Sequence, residues 1–256
     1  MTGMRMVELD RWLRDQMNID AMASVDNSLN GIQVERHNPE VSCVAFAVDA
    51  CMETFQRAVE QKADVLFVHH GLFWGKEATI TGTHYERIRF LIEHDLALYA
   101  AHLPLDMNPE FGNNAGMAAA LGLEQVRPFG WYKGHQIGFA GRLPSPQSME
   151  QICATLFGGT EAPLSMLPFG PREIQSVGLV SGGAPYEVEQ AISEGLDCYI
   201  TGDAQHTVYH RALEEKINVI FGGHYLTETW GVRLLSLRLA EAMGVRTVFI
   251  DVPTGL

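Results

Sequence analysis

An internal repeat is the feature that most constrains the fold of this chain. Residues 41–70 and 174–203 match in pattern at an offset of 133, so that Asp64 aligns with Asp197. Each copy has a short apolar run, a stretch with apolar residues at helical spacing, an acidic turn and a second apolar run. This order is typical of a βαβ unit. The repeat therefore predicts an α/β fold of two related, intertwined lobes.

The likeness continues beyond the repeat. In both halves a helical segment leads into an apolar run that ends near a histidine, and an acid follows four residues later: His102 with Asp106, and His224 with Glu228. These pairs are 122 residues apart, so the first copy is longer by 11 residues, which we place in the loop near 71–83. Function in open α/β sheets collects at the carboxyl ends of strands, and we expect the site there, between the lobes.

The repeat also suggests how the chain is organised. The predicted segments are a first lobe at 1–126 (repeat copy about 41–106), a connecting region at 127–173 and a second lobe at 174–256 (repeat copy about 174–228), packed as one unit. Within the connecting region, 135–143 predicts a hairpin and 148–158 a helix. A long helix is expected from about Thr229 to Met243, with Val232, Leu235, Leu239 and Ala242 on one face, followed by a last strand.

Composition and charge exclude several classes of protein. The net charge is −13, whereas extended binding of nucleic acid requires a basic patch. No apolar run approaches the roughly 18 residues of a membrane span, and the first 17 residues lack the apolar core of a signal peptide. The four cysteines form no C-x-x-C pair. We therefore expect a cytoplasmic protein without membrane or extended nucleic-acid contacts.

Histidines and acids stand at the ends of the predicted strands. The candidates share that position in the repeat: His69, His70, His102, Asp106, Asp203, His224 and Glu228. A mixture of imidazoles and carboxylates suits Fe, Mn, Zn, Co or Ni better than Ca or Mg, and the lack of a thiolate argues against a structural zinc. A carboxylate that bridges two ions about 3.5–4 Å apart is common in hydrolytic sites. The pattern predicts a metal centre.

Other polar segments have weaker interpretations. Residues 26–31 (DNSLNG) have the composition of a turn between the first helix and a strand. Residues 111–116 (FGNNAG) precede a small helix, and they are expected to cap it or to bind an anion through the backbone. His206 is a weaker candidate for a cavity wall.

Taken together, six motifs resemble those of the YbgI-type, or Nif-three-like, proteins, which are labelled GTP cyclohydrolase I type 2 homologs. The motifs are NGIQV, VHHGLFW, HLPLD, GNNAG, GHYLTE and TVFIDVP, and the resemblance runs from about Asp26 to Pro253. It implies two divalent metal ions per chain and a toroidal homohexamer with the metal sites facing an inner cavity.

The resemblance also implies a role for each ligand. His69 and His70 would bind different ions, Asp106 would join His70, His224 would join His69, and Glu228 would bridge the two ions. His102 would contact either the substrate or one of the metal-binding side chains, and it is our candidate catalytic residue. The sequence assigns no residue to substrate binding.

These expectations favour a metal-dependent hydrolase. Two carboxylates and two divalent ions leave a local charge near +2, which attracts a small anion even in an acidic protein. The family label suggests a nucleotide as substrate, and His102, Asp203 or His206 could transfer a proton. Two alternatives stay open: a non-catalytic metal carrier or sensor that uses the same ligands, and a ring-shaped scaffold that binds a partner.

Overall fold

The computed structural model describes residues 4–158 and 164–256. The chain forms two compact units, each made of two stretches of sequence. The first unit comprises Met1–Leu105 and Val232–Val252, and the second comprises Asp106–Gly231 and Pro253–Leu256. These units follow compactness, whereas the three segments of the sequence analysis follow the repeat, and that segmentation stays a prediction.

The described residues contain thirteen strands. In chain order they are β1 (Met4–Arg5), β2 (Gly31–Val34), β3 (Glu40–Val41), β4 (Cys43–Asp49), β5 (Val65–His70), β6 (Ala97–Ala100), β7 (Glu124–Tyr132), β8 (His135–Gln147), β9 (Ser165–Pro168), β10 (Ile174–Leu179), β11 (Cys198–Thr201), β12 (Asn218–Phe221) and β13 (Arg246–Phe249). Together with the helices they confirm the predicted α/β class.

The same residues contain nine α-helices. They are α1 (Met6–Met17), α2 (Met52–Glu60), α3 (Gly82–Glu93), α4 (Leu103–Asp106), α5 (Asn113–Ala120), α6 (Met149–Phe157), α7 (Val188–Ser193), α8 (Val208–Glu215) and α9 (His224–Met243). None of these described helices combines the length and apolarity that a membrane crossing requires.

The first unit contains a five-stranded sheet in the order β13-β4-β5-β6-β2. The first four strands are parallel, and β2 pairs with β6 in the antiparallel direction. Strand β4 reads CVAFAVD and is buried along nearly its whole length, as expected for a parallel strand covered on both faces. Helix α2 buries Phe55 and Ala58 in the same core as Leu66 of β5. The sheet thus places the ends of β5 and β6 side by side.

The second unit contains a six-stranded sheet in the order β7-β8-β10-β11-β12-β9. Strands β10, β11 and β12 are parallel, and the other pairings are antiparallel. Helix α6 packs Ile152 and Leu156 into the same core as Ile200 of β11. Adjacent parallel strands again end at one edge of the sheet.

The predicted repeat is visible in matching hydrogen bonds. In the first unit, the Asp64 carboxylate accepts from the backbone N–H of Ser42 and Cys43 and from the Ser42 hydroxyl, at 2.7 to 3.0 Å. In the second unit, Asp197 accepts from the backbone N–H of Gln175 and Ser176 and from the Ser176 hydroxyl, each at 2.9 Å. The acidic turn therefore anchors the start of the first strand in both copies.

Removal of this anchor is expected to destabilise the second unit. Asp197→Ala would leave two backbone donors and a hydroxyl without their acceptor, and we expect a loss of about 3 kcal/mol in the free energy of unfolding. Urea denaturation measures the loss. Glu214→Ala, which removes an exposed acid of α8, is the control and should change stability by less than about 0.5 kcal/mol. Equal stability of the two variants would contradict the assigned role of the turn.

Several sequence expectations hold and others need correction. Helix α6 and strand β13 confirm the elements predicted at 148–158 and near the C-terminus. The hairpin predicted within 135–143 is wrong, because those residues belong to one strand, β8, that pairs with β7. The chain reverses earlier, at Lys133 and Gly134, whose φ values of 47° and 86° suit a tight hairpin turn.

The helix before the last strand also differs from expectation. It begins at His224 rather than near Thr229, so that the predicted ligand pair lies within its first turns. Val232, Leu235 and Leu239 are buried as expected, whereas Ala242 is exposed because the helix is about to end.

The two copies differ in length at two places. The first copy is longer between its second and third parallel strands, and the second copy is longer by one residue after its third parallel strand. Val65 pairs with Ala97 in the first unit, and Cys198 pairs with Asn218 in the second. Ala97 and Asn218 are therefore equivalent and 121 residues apart, while His102 and His224 are 122 apart. The second copy has one extra residue between strand and histidine, in the pair Gly222-Gly223.

Candidate metal centre

Three histidines of the first unit converge at the ends of two neighbouring parallel strands. His69 and His70 end β5, and His102 follows β6 by two residues. One ring nitrogen of each lies within 4.8 Å of the others. The ring centroids are 4.6 Å apart for His69 and His70 and 5.0 Å apart for His69 and His102. This set has the composition and spacing of a metal-binding group.

Each of these rings is held through Nδ1. His69 Nδ1 donates to the carbonyl oxygen of Ala101 at 3.1 Å, and His70 Nδ1 donates to the carboxylate of Asp49 at 2.9 Å. A histidine that binds metal commonly uses its other ring N–H in this way, which fixes the tautomer and the ring orientation. Nε2 is then the nitrogen that carries the lone pair for a ligand.

His102 has the strongest such support. Its Nδ1 donates to Asp26 at 2.9 Å, and the Asp26 carboxylate also accepts from Ser28 N, Asn30 Nδ2 and Leu103 N. Burial alone would raise the pKa of Asp26, but the hydrogen bond and charge of His102, with the bonds from Asn30 and Ser28, hold it below its usual value. Asp26 is therefore an ionised anchor, which the interpretation of 26–31 as a turn missed.

The second unit brings together the other three candidates. Asp106 ends α4, and His224 and Glu228 lie one turn apart at the start of α9, on the same helix face. Glu228 Oε2 lies 3.3 Å from His224 Nε2, and a carboxylate oxygen of Asp106 lies within 4.8 Å of one from Glu228. Asp106 and Glu228 are 5% and 2% exposed. Two buried carboxylates at this distance require compensating positive charge.

The pKa of His224 also indicates that the buried carboxylates require a positive charge beside them. Its Nδ1 donates to Asp203 at 2.9 Å. Burial lowers the pKa of His224, but the hydrogen bond and charge of Glu228, together with Asp203, outweigh this effect and raise it to about 9. In the metal-free protein a proton supplies part of the positive charge, and a bound metal ion would replace it.

Asp106 is positioned by residues that sequence reasoning assigned otherwise. Its Oδ1 accepts from Asn113 Nδ2 at 2.9 Å and from the Ser181 hydroxyl at 2.8 Å. Asn113 in turn accepts from the backbone N–H of Gly231 at 2.7 Å. Helix α5 begins at Asn113, inside the segment 111–116 that was expected to cap it, and its N-cap is Gly112, which makes no side-chain hydrogen bond.

Gly182 provides room for Glu228, and nothing in its sequence context identified it. Its φ is +64°, and a methyl group there would lie 2.2 Å from Glu228 Oε1 and 3.3 Å from His224 Nε2.

Two further candidates from the repeat have different outcomes. Asp203, which was predicted at the end of a strand, accepts a hydrogen bond from His224 and orients its ring. His206 is exposed, which weakens its candidacy.

The outer partners should affect metal affinity. Asp49→Ala removes the carboxylate that orients His70, and we expect metal affinity to fall by roughly 10- to 100-fold. Competition with a chromogenic chelator measures the change. Glu53→Ala, an exposed acid on α2, is the matched control and should bind metal normally. Normal affinity in Asp49→Ala would show that this carboxylate does not support the site.

Comparison with known proteins agrees with the resemblance seen in the motifs. The family model of DUF34/NIF3 (NGG1p interacting factor 3) matches residues 4–255. Two relatives named GTP cyclohydrolase 1 type 2 homolog come from Treponema pallidum and Archaeoglobus fulgidus. The first is 42% identical over 97% of this chain and 99% of the relative, and the second is 43% identical over 99% and 100%.

Solved structures also resemble this chain over nearly its whole length. The protein ybgI, whose function is described as unknown, has a TM-score of 0.90 at 32% identity and covers 99% of this chain and 100% of its own. A protein from Thermus thermophilus has a TM-score of 0.88 at 38% identity, with the same coverage. On this evidence the chain belongs to the DUF34/NIF3 family.

Proposed function

We propose that this protein is a dinuclear metal-dependent hydrolase. In this proposal two ions would be held by His69, His70, Asp106, His224 and Glu228, and Glu228 would be a ligand to both. The observation that carries it is the arrangement of the histidines: Nδ1 of His69, His70 and His224 donates to an oxygen, so that Nε2 carries the lone pair that a metal ion would bind.

The donor set fits such ions. Neutral imidazoles with two carboxylates suit Fe, Mn, Zn, Co or Ni. The two ligand acids contribute −2 and two divalent ions +4, so the loaded centre is near +2. That charge offsets the burial of Asp106 and Glu228. It also favours a small anion, such as a nucleotide, as the substrate.

The chain's own residues would orient the reactants and manage a proton. When bound, the ions would lower the pKa of water and polarise the electrophile. His102 lies beside His69 and His70, and its Nδ1 is tied to the ionised Asp26. A histidine held this way can accept a proton at Nε2 and pass it to a leaving group. This is the role we propose for His102.

Family resemblance extends the proposal to the assembly and its setting. A toroidal homohexamer in the cytoplasm would present the proposed sites to an inner cavity. Mass photometry at nanomolar concentration tests the assembly, since a particle near six times the 28.3 kDa chain mass is expected. A monomer at all concentrations would contradict it.

Hydrolysis itself is tested by a substrate screen. Metal-reconstituted protein is incubated with nucleotides and small phosphate esters, and released phosphate and formate are measured. We expect turnover that disappears after chelation and in Glu228→Ala. Two bound ions without turnover on any substrate would favour the carrier or scaffold alternative over a hydrolase.

A further inference from the structure

Trp74 lies beside the histidines of the first unit and is partly exposed to solvent. Its ring centroid is 5.1 Å from that of His102, nearly edge-on at 76°, and 5.9 Å from that of His70. The residue is 37% exposed. Burying a large aromatic side chain is favourable, and most tryptophans are therefore largely buried. An exposed tryptophan beside a polar group of candidate metal ligands thus calls for an explanation.

Packing and a hydrogen bond hold Trp74 in its exposed position. Leu72 and Phe73, which directly precede Trp74, pack against the core of the first unit and anchor the segment that leads to it. The Trp74 indole N–H donates to the carbonyl oxygen of Gly71 at 3.0 Å, which fixes the ring relative to the end of β5.

Gln33 of β2 fastens this loop further. Its Oε1 accepts from the backbone N–H of Leu72 at 2.7 Å and of Phe73 at 3.3 Å, while its Nε2 donates to the carbonyl oxygen of Leu29 at 2.8 Å. Leu29 N donates to the carbonyl oxygen of Phe73 at 3.0 Å. Leu29 is itself 54% exposed and adds apolar surface on the adjoining segment. The ring is therefore held in place before any ligand arrives, which lowers the entropic cost of binding.

We propose that Trp74 is a stacking platform for a planar heteroaromatic ring of the substrate, next to the histidine group. This inference rests on the proposed function and narrows it: the substrate would combine an anionic group, bound at the metal centre, with a flat heteroaromatic ring. Aromatic side chains accept any such ring on their π-face, so the contact supplies affinity with little preference between bases.

Calorimetry on the metal-loaded protein tests the proposal with paired probes. The four ribonucleoside monophosphates share the phosphate and sugar of ribose 5-phosphate and add a base. Because stacking has little preference between bases, we expect each nucleotide to bind about 10-fold more tightly than ribose 5-phosphate. Trp74→Ala should abolish this gain and leave ribose 5-phosphate binding unchanged. Trp74→Phe, which keeps a ring but loses the indole N–H, should retain most of the gain.

The controls separate this inference from the metal centre. Trp131→Ala removes a tryptophan of β7 that is 57% exposed, and it should bind every probe like the native protein. Equal affinity of the nucleotides and ribose 5-phosphate would overturn the stacking role while leaving the anion site intact. A nucleotide gain that persists in Trp74→Ala would also overturn it. Failure of all probes to bind, despite two metal ions, would overturn both the stacking role and the proposed anionic substrate.

Discussion

Glu228→Ala is expected to remove both metal ions from the protein. Glu228 is 2% exposed, its carboxylate lies 3.3 Å from His224 Nε2 and within 4.8 Å of Asp106, and in our proposal it bridges the ions. Removing a bridge withdraws one ligand from each ion and one negative charge from the pair. We expect the dissociation constants of both ions to rise by roughly 100-fold or more, as measured by chelator competition.

A second acid, at the opposite end of the same helix, provides the control. Glu241 lies near the end of α9 and is exposed, so Glu241→Ala should retain native metal affinity. Glu228→Gln, which keeps the side-chain size but loses the charge, should fall between the two. If Glu228→Ala held two ions as tightly as the native protein, Glu228 would not be a ligand. Urea denaturation of the metal-free variants shows whether the loss of metal follows from a loss of fold.

Gly182→Ala is expected to have the second-largest effect on metal binding. The added methyl group would lie 2.2 Å from Glu228 Oε1, and the flexible carboxylate would give up its position sooner than the backbone would move. We expect metal affinity to fall by roughly 100-fold, since a displaced ligand costs at least as much as a lost outer partner. Isothermal titration with Zn²⁺ or Co²⁺ measures it.

Gly195→Ala separates the steric effect from backbone strain. Gly195 has nearly the same φ, +66° against +64° at Gly182, but no atom lies within 4 Å of its added methyl group. Both variants should lose about 1 kcal/mol of stability from the left-handed conformation. Only Gly182→Ala should lose metal affinity, and equal affinities would mean that Glu228 tolerates the added group.

The sequence predicted the repeat and the positions of the candidate ligands because both depend on local order. Buried parallel strands are continuous apolar runs, and polar residues directly after them fall at a common edge, as His69 and His70 do. Asp64 and Asp197 were aligned for the same reason, and they make matching hydrogen bonds. Family membership was likewise predicted from short motifs, of which VHHGLFW, HLPLD and GHYLTE lie at the ends of parallel strands.

The supporting residues were not predictable because they are distant in sequence. Asp26 reaches His102 across 76 residues, and Asn113 accepts from the backbone of Gly231 across 118. Asp26 and Asn113 have the composition of turns and caps, and only tertiary contacts distinguish an anchoring carboxylate or amide from a local one. The hairpin position failed for a different reason, since the turn at Lys133-Gly134 precedes the apolar run that suggested it.

Metal content of the native chain tests the central claim most directly. The purified protein is stripped with chelator, reconstituted separately with Fe, Mn, Zn, Co and Ni, freed of unbound metal and analysed by inductively coupled plasma mass spectrometry. We predict two equivalents per chain for at least one of these metals. Fewer than one equivalent with every metal would contradict the dinuclear centre.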